Sequence, residues 1–315
     1  MKIVVTDGYV LNPGDISWGR IEAFGELVVY ERTSPELVAE RCRGAEIVLV
    51  NKTPVNKEAL IALPHLKLIS ILATGYNMID IGAARQQGVT VCNAPAYGTA
   101  SVAQHTFALI LELTNHVGLH SASVAAGDWG HSKDWSYNKT NFIGLEGKTM
   151  GIVGFGNIGR QTAAIAEAFG MKILYYSNSK KEGVSAEYVS LHQLFSQSDV
   201  ISLHCPLTPS NNRFVNRDML GLMKSSAMLI NTARGALVNE DDLTYALNNN
   251  VIAGAGLDVL SAEPPAADNP LLAAKNCIIT PHNAWMNLQT RLRIMDITVK
   301  NIQAFMSGSP LNVVN

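Results

Sequence analysis

The sequence predicts an α/β fold in which parallel sheets are covered by helices. Three observations predict it. Short apolar, β-branched runs alternate with helical patterns along nearly the whole chain, the arrangement that builds βαβ units. The length of 315 residues sets a prior of about two domains. A glycine-rich turn near the middle stands at the head of a second strand–helix series.

The first series places strands at 3–6, 27–30, 47–50, 68–72 and 89–92, with helices at 35–43 and 57–63 among them. A long helix over 99–116 follows, apolar at Val102, Ala103, Phe107, Leu109, Ile110 and Leu113. Residues 127–141 are polar, carry Trp129, Trp135 and Tyr137, and show no period; they read as a crossing loop. The second series starts at Lys148, with strands at 150–153, 172–176, 200–204, 227–231, 252–258 and 277–280. Helices at 158–169 and 240–249 intervene, and a last helix spans 284–306.

Composition narrows the function. Hydrophobic residues make up 47% and charged residues 16%, with a net charge of −2. That is ordinary for a folded enzyme-sized core, and no basic block points to nucleic acid. Asp7 interrupts the short apolar run at the N-terminus, so that run reads as a first strand and not as a signal peptide. No apolar stretch approaches the roughly 20 residues that span a bilayer. Cys42, Cys92, Cys205 and Cys277 are scattered and read as free thiols in a reducing, cytoplasmic compartment. His116 and His120 have the spacing of a shared helix face, but no further ligands lie near, so no metal is expected.

Gly154, Gly156 and Gly159 form GxGxxG, with an apolar strand running into the motif and a helix out of it. That context turns a weak pattern into a dinucleotide fingerprint. Gly154 permits the tight turn, Gly156 lets backbone approach a pyrophosphate, and Gly159 lets helix and strand pack closely. Asn157 and Ile158 open the helix, whose first N–H groups face the phosphates. Ser177 occupies the place of the acid that bonds the ribose in NAD enzymes, and Lys180 and Lys181 follow. The cofactor is therefore NAD or NADP. The balance tips slightly to NADP, because nothing repels a 2′-phosphate; lysine, however, lacks the bidentate fork of arginine.

Arg234, Glu263 and His282 each follow a predicted strand of the second series, so all three belong at the rim where the glycine loop lies. A guanidinium holds a carboxylate and polarises a carbonyl. A histidine supplies a proton near neutral pH, and a neighbouring carboxylate favours its charged form and orients its ring.

These motifs, with Ser202–Thr208, Asn231–Gly235, Gly256–Val259 and Thr280–His282, resemble the D-isomer-specific 2-hydroxyacid dehydrogenase family over essentially the whole chain. Within it, residues 50–54, 72–77 and 94–99 are similar to the hydroxypyruvate reductase, or glycerate dehydrogenase, group. The resemblance implies two Rossmann-like lobes with parallel sheets. A cofactor lobe, 99–283, is inserted in a flavodoxin-like substrate lobe, 1–98 plus 284–315, with the active site in the cleft between them. It implies homodimers formed largely through the cofactor lobe. It implies that backbone amides of Ala73, Thr74 and Gly75 bind the substrate carboxylate beside Arg234, that Lys52 lies near the substrate and that Trp285 borders its pocket. Thr106, Cys205, Pro206, Thr208, Thr232 and Ala233 would line the cofactor, His204 would lie near the adenine side, and Asp258 would contact the nicotinamide amide.

The resemblance implies reduction of a small 2-keto acid, such as hydroxypyruvate or glyoxylate, to the D-2-hydroxy acid. Glu263 stands where formate dehydrogenases of the superfamily place Gln. The chain ends at Asn315, without the regulatory extension of long 3-phosphoglycerate dehydrogenases. Two other readings are a corepressor-like protein that senses dinucleotides and a short phosphoglycerate dehydrogenase.

Overall fold

Strands β1 (Lys2–Val5), β2 (Glu26–Val29), β3 (Ile47–Val50), β4 (Leu68–Ile71) and β5 (Thr90–Cys92) form one parallel sheet in the order β2-β1-β3-β4-β5. This is the flavodoxin-like order. Every residue of β3 and β4 is buried, which is why β3 is a continuous apolar run and β4 is apolar on both faces apart from Ser70. The computed structural model describes residues 1–315, divided into two units: Met1–Tyr97 with Met286–Asn315, and Gly98–Trp285.

The C-terminal helix Leu288–Met306 belongs to the first unit and buries Ile294, Met295, Val299 and Ile302. Arg291 anchors it, with two 2.6 Å bonds to the carboxylate of Asp15. The expected start at 284 was four residues too early. Asn287 caps the helix by accepting from the Thr290 amide, and the amides of Asn283 and Ala284 are taken by the carboxylate of Asp258. After the helix the chain returns to the sheet edge, where Val314 N donates to Val91 O at 2.8 Å and the Asn315 side chain bonds Val89 and Val91.

The second unit holds β6 (Thr149–Val153), β7 (Lys172–Tyr176), β8 (Glu187–Tyr188), β9 (Val200–Leu203), β10 (Met228–Asn231), β11 (Gly254–Leu257) and β12 (Cys277–Ile279). All pair in parallel, in the order β12-β11-β10-β9-β6-β7-β8. Chain order reverses between β6 and β9, and ligands of open α/β sheets bind beyond the strand ends at such a reversal. The helix Thr99–Asn115 packs so closely on the sheet that a β-carbon on Gly256 would lie 2.9 Å from the Leu109 β-carbon.

That helix ends at His116, whose backbone is left-handed (φ 48°), and a second helix, Val117–Ala125, begins there. The ring of His120 contacts His116 O (2.9 Å) and Lys139 N (3.1 Å). No group of three or more His, Cys, Asp or Glu side chains is placed to hold a metal ion. Residues 127–141 contain no helix or strand and fold on themselves, through Trp129 Nε1 to Trp135 O and the Lys139–Asp128 ion pair. No helix is long and apolar enough to cross a membrane.

Candidate active site

The glycine turn leaves β6 at Gly154, whose φ of 96° suits a residue without a side chain. A β-carbon there would sit 2.5 Å from Cys205 N, and one on Gly159 would sit 2.2 Å from Gly154 O. Gly156 differs: nothing lies within 4 Å of its would-be β-carbon. The helix Asn157–Ala168 that follows has no side-chain cap and no acid in its first turn. Exposed backbone at Gly156, open N–H groups at Asn157 and Ile158, and a positive dipole end suit a pyrophosphate. The residues present therefore fit a dinucleotide.

Facing this turn, His204 and Cys205 follow the end of β9. The Ser202 hydroxyl meets His204 Nε2 at 2.9 Å, and desolvation pushes the His204 ring down to about 3, so it is neutral near pH 7. Burial raises the Cys205 thiol to about 11, which makes it a poor nucleophile. Pro206 and Thr208 are exposed, and Thr208 caps the short 3₁₀ turn Pro209–Asn211. At the end of β7 the Ser177 hydroxyl donates to Ser179 O at 2.6 Å, Lys181 Nζ reaches Ser179 Oγ, and Lys180 is exposed. No carboxylate is found in this turn. Thr106 is fully enclosed, with its hydroxyl 3.1 Å from that of Thr232. It thus supports the end of β10 from inside the unit.

Beyond β10 the side chain of Asn231 bonds both Ala233 N (3.0 Å) and Arg234 O (2.9 Å). This staple leaves Arg234 exposed. Gly235 then passes against the next loop, where a β-carbon would fall 1.9 Å from the carbonyl carbon of Leu260. That loop carries Glu263. Its Oε1 accepts from Leu260 N (3.2 Å) and its Oε2 lies 2.6 Å from His282 Nδ1. His282 follows β12 with a left-handed backbone (φ 51°), a strained conformation of the kind that gathers at functional sites. Its amide donates to Asp258 O. The carboxylate of Asp258, 1% exposed, accepts from Thr280 Oγ1, Asn283 N and Ala284 N. Asp258 thereby grips the chain on both sides of His282. With Nδ1 committed to Glu263, Nε2 is the nitrogen His282 can offer a ligand. Arg234, Glu263, His282 and Trp285 all belong to the second unit, as does the glycine turn.

In the first unit, the amides of Ala73, Thr74 and Gly75 follow β4 and make no hydrogen bond within the chain. Their carbonyls and side chains are held instead: Ala94 N donates to Ala73 O, Asn93 Nδ2 to Thr74 O, and Thr74 Oγ1 to Ala94 O. Three undirected donors at a strand end suit an anion. Lys52 is exposed beyond the neighbouring β3. One organiser went unseen in the sequence. The Asp7 carboxylate accepts from the amides of Asn51 (2.8 Å), Lys52 (2.5 Å) and Thr53 (2.9 Å). Its only sequence signal was an acid at the end of the first strand.

Residues 107–284 match the family described as D-isomer specific 2-hydroxyacid dehydrogenase, NAD binding domain. The chain is 49% identical to a hydroxypyruvate reductase of Blautia hydrogenotrophica, covering 100% of both chains. It is 42% identical to a glycerate dehydrogenase of Methylorubrum extorquens, covering 90% of each. Among solved structures it resembles an NADPH-dependent glyoxylate/hydroxypyruvate reductase of Sinorhizobium meliloti in complex with NADP and malonate. That structure has a TM-score of 0.85 and 30% identity, over 99% of this chain and 96% of the other.

Proposed function

This chain belongs to the D-isomer-specific 2-hydroxyacid dehydrogenase family, and from that premise we propose that it reduces hydroxypyruvate to D-glycerate, with glyoxylate as a second substrate. It is an NAD(P)-dependent oxidoreductase that reduces a 2-keto acid to the D-2-hydroxy acid. The observation that carries the mechanism is the 2.6 Å contact between Glu263 Oε2 and His282 Nδ1.

When bound, a nicotinamide coenzyme would supply the hydride for C2 of the keto acid. Arg234 holds the substrate carboxylate and draws electron density from the carbonyl. His282 gives the carbonyl oxygen its proton from Nε2. Glu263 fixes the ring so that this nitrogen faces outward, and balances the charge of the imidazolium. Asp258 keeps the His282 turn in place and would contact the nicotinamide amide. The amides of Ala73–Gly75 and the Lys52 ammonium serve the substrate's carboxylate. Gly154, Gly156, Asn157 and Ile158 take the pyrophosphate. His204, Cys205, Pro206, Thr208, Thr232 and Ala233 line the cofactor, with Thr106 behind Thr232.

NADP is the slightly favoured coenzyme, because Ser177 and Lys180 stand where an acid would repel a 2′-phosphate. The unit Gly98–Trp285 is the coenzyme domain and the other unit the substrate domain. We infer a homodimer that forms through the former, whose surface exposes Val117, Trp135 and Phe142. Four free cysteines suit a cytoplasmic setting.

The test is initial reduction rates for hydroxypyruvate, glyoxylate, pyruvate and 3-phosphohydroxypyruvate, each with NADH and NADPH. The highest kcat/KM is expected with hydroxypyruvate. A preference for the phosphorylated acid would replace this reading with phosphoglycerate chemistry. Failure of all four substrates, with coenzyme still bound, would favour a dinucleotide sensor.

A further inference from the structure

Glu240 is the first residue of the helix Glu240–Asn248, and its carboxylate reaches both ends of the loop that carries Glu263. Oε1 accepts from Ser261 N at 2.6 Å, and Oε2 accepts from the side-chain amide of Asn269 at 2.8 Å. Residues 261–268 between these two points are all exposed, and most are Ala or Pro. Such residues offer few polar groups to hold the loop. A carboxylate in the first turn of a helix is also well placed against the helix dipole.

We propose that Glu240 is a positioning residue for the proton-donating pair. By clasping the loop at Ser261 and Asn269 it sets Glu263 where Oε2 meets His282 Nδ1. The inference rests on reading Glu263 and His282 as that pair. Glu240 itself touches neither of them. It acts through the loop backbone, together with the Gly235–Leu260 contact on the other side. The charged groups around the clasp are Asp241 and Asp242 on its own helix, Arg217 (3.6 Å from Asp242), Glu263 and Asp268 on the loop, and Arg234 and His282 beyond the neighbouring strands.

Position and charge are separable. Glu240→Asp keeps the charge but is one methylene too short to span both donors. Glu240→Gln keeps the reach but has a single acceptor oxygen. Both variants and Glu263→Gln are compared with the wild type in hydroxypyruvate reduction across the pH range, alongside thermal melting and coenzyme titration. Both Glu240 variants are expected to lower kcat about tenfold or more, since small misplacements of catalytic groups are costly. Coenzyme affinity should hold, and the pH profile of kcat/KM should move toward the Glu263→Gln profile. A wild-type profile in Glu240→Asp would overturn the proposal, as would lowered melting with unchanged kcat and profile in both variants. If Glu263→Gln itself shows wild-type rate and profile, the acid–base reading fails; if Glu263→Gln is impaired while both Glu240 variants are normal, only the clasp fails.

Discussion

Gly235 lies against the backbone of Leu260, so that a β-carbon on it would stand 1.9 Å from the carbonyl carbon and 2.1 Å from the carbonyl oxygen. Arg234 and the loop of Glu263 are thus set by one backbone contact. Gly235→Ala should force the loop away, because neither side of the clash is a flexible side chain. We expect kcat/KM to fall about 10²-fold, from displaced catalytic groups. Melting should fall too, by an amount matching about 1–3 kcal/mol. Wild-type turnover in this variant would show that the loop tolerates the shift.

His282→Ala should lower kcat by about 10²–10⁴, the usual worth of a positioned acid. Coenzyme affinity should stay unchanged, because the glycine turn is separate in sequence and contacts. Near-normal turnover by the folded variant would remove His282 from the mechanism.

The roles of Gly154 and Gly156 should separate on substitution. Gly154→Ala places a side chain at φ 96° and 2.5 Å from Cys205 N, and should destabilise the protein by about 1–3 kcal/mol. Gly156→Ala meets no protein atom and should leave melting nearly unchanged while coenzyme binding drops about tenfold or more. Melting curves and fluorescence titrations check both. Equal melting for the two variants would contradict the geometry.

Ser177→Asp should raise the NADH to NADPH ratio of kcat/KM about tenfold or more, because like charges in contact cost several kcal/mol. Lys180→Ala should weaken NADPH alone. An unchanged ratio in both would mean that this turn does not read the ribose.

His204 gives a pH prediction with a definite sign. An unfolded imidazole titrates near 6.5, whereas desolvation holds this one near 3 in the fold. Between those values the unfolded chain binds more protons. The stability tied to the neutral ring is therefore complete above about pH 6.5 and is lost as pH falls through that window. His204→Gln, which keeps a partner for Ser202, should flatten the decline. Urea unfolding at several acidic pH values measures it; parallel slopes for variant and wild type would refute the assignment.

Much of this was legible in the sequence because it is periodic or local. Buried parallel strands such as Ile47–Val50 announce themselves as unbroken apolar runs, and Gly154–Gly159 sits between a strand and a helix that are both plain. Arg234, Glu263 and His282 could be named because each follows a strand of one sheet. What escaped depends on contacts between distant residues. Asp7 gains its role only when β1 and β3 lie side by side. The strand Glu187–Tyr188 is defined by pairing with β7, not by any pattern of its own. The break at His116 is a backbone choice that a non-glycine residue does not advertise. The true start of the last helix is hidden for the same reason: Asp258 holding residues 283 and 284 outside the helix is invisible without the fold.

The return of Val314 and Asn315 to the edge of β5 bears on how the chain is made. During synthesis, the segment Gly98–Trp285 emerges whole and contiguous, so it can fold as soon as it leaves the ribosome. The first 97 residues cannot: their missing helix and last edge contacts are encoded more than 180 residues later. The half born first therefore finishes last, its β4 and β5 surface waiting for Leu288–Met306. Chaperone dependence and aggregation during expression should trace to that half, since closing so long a loop is entropically slow.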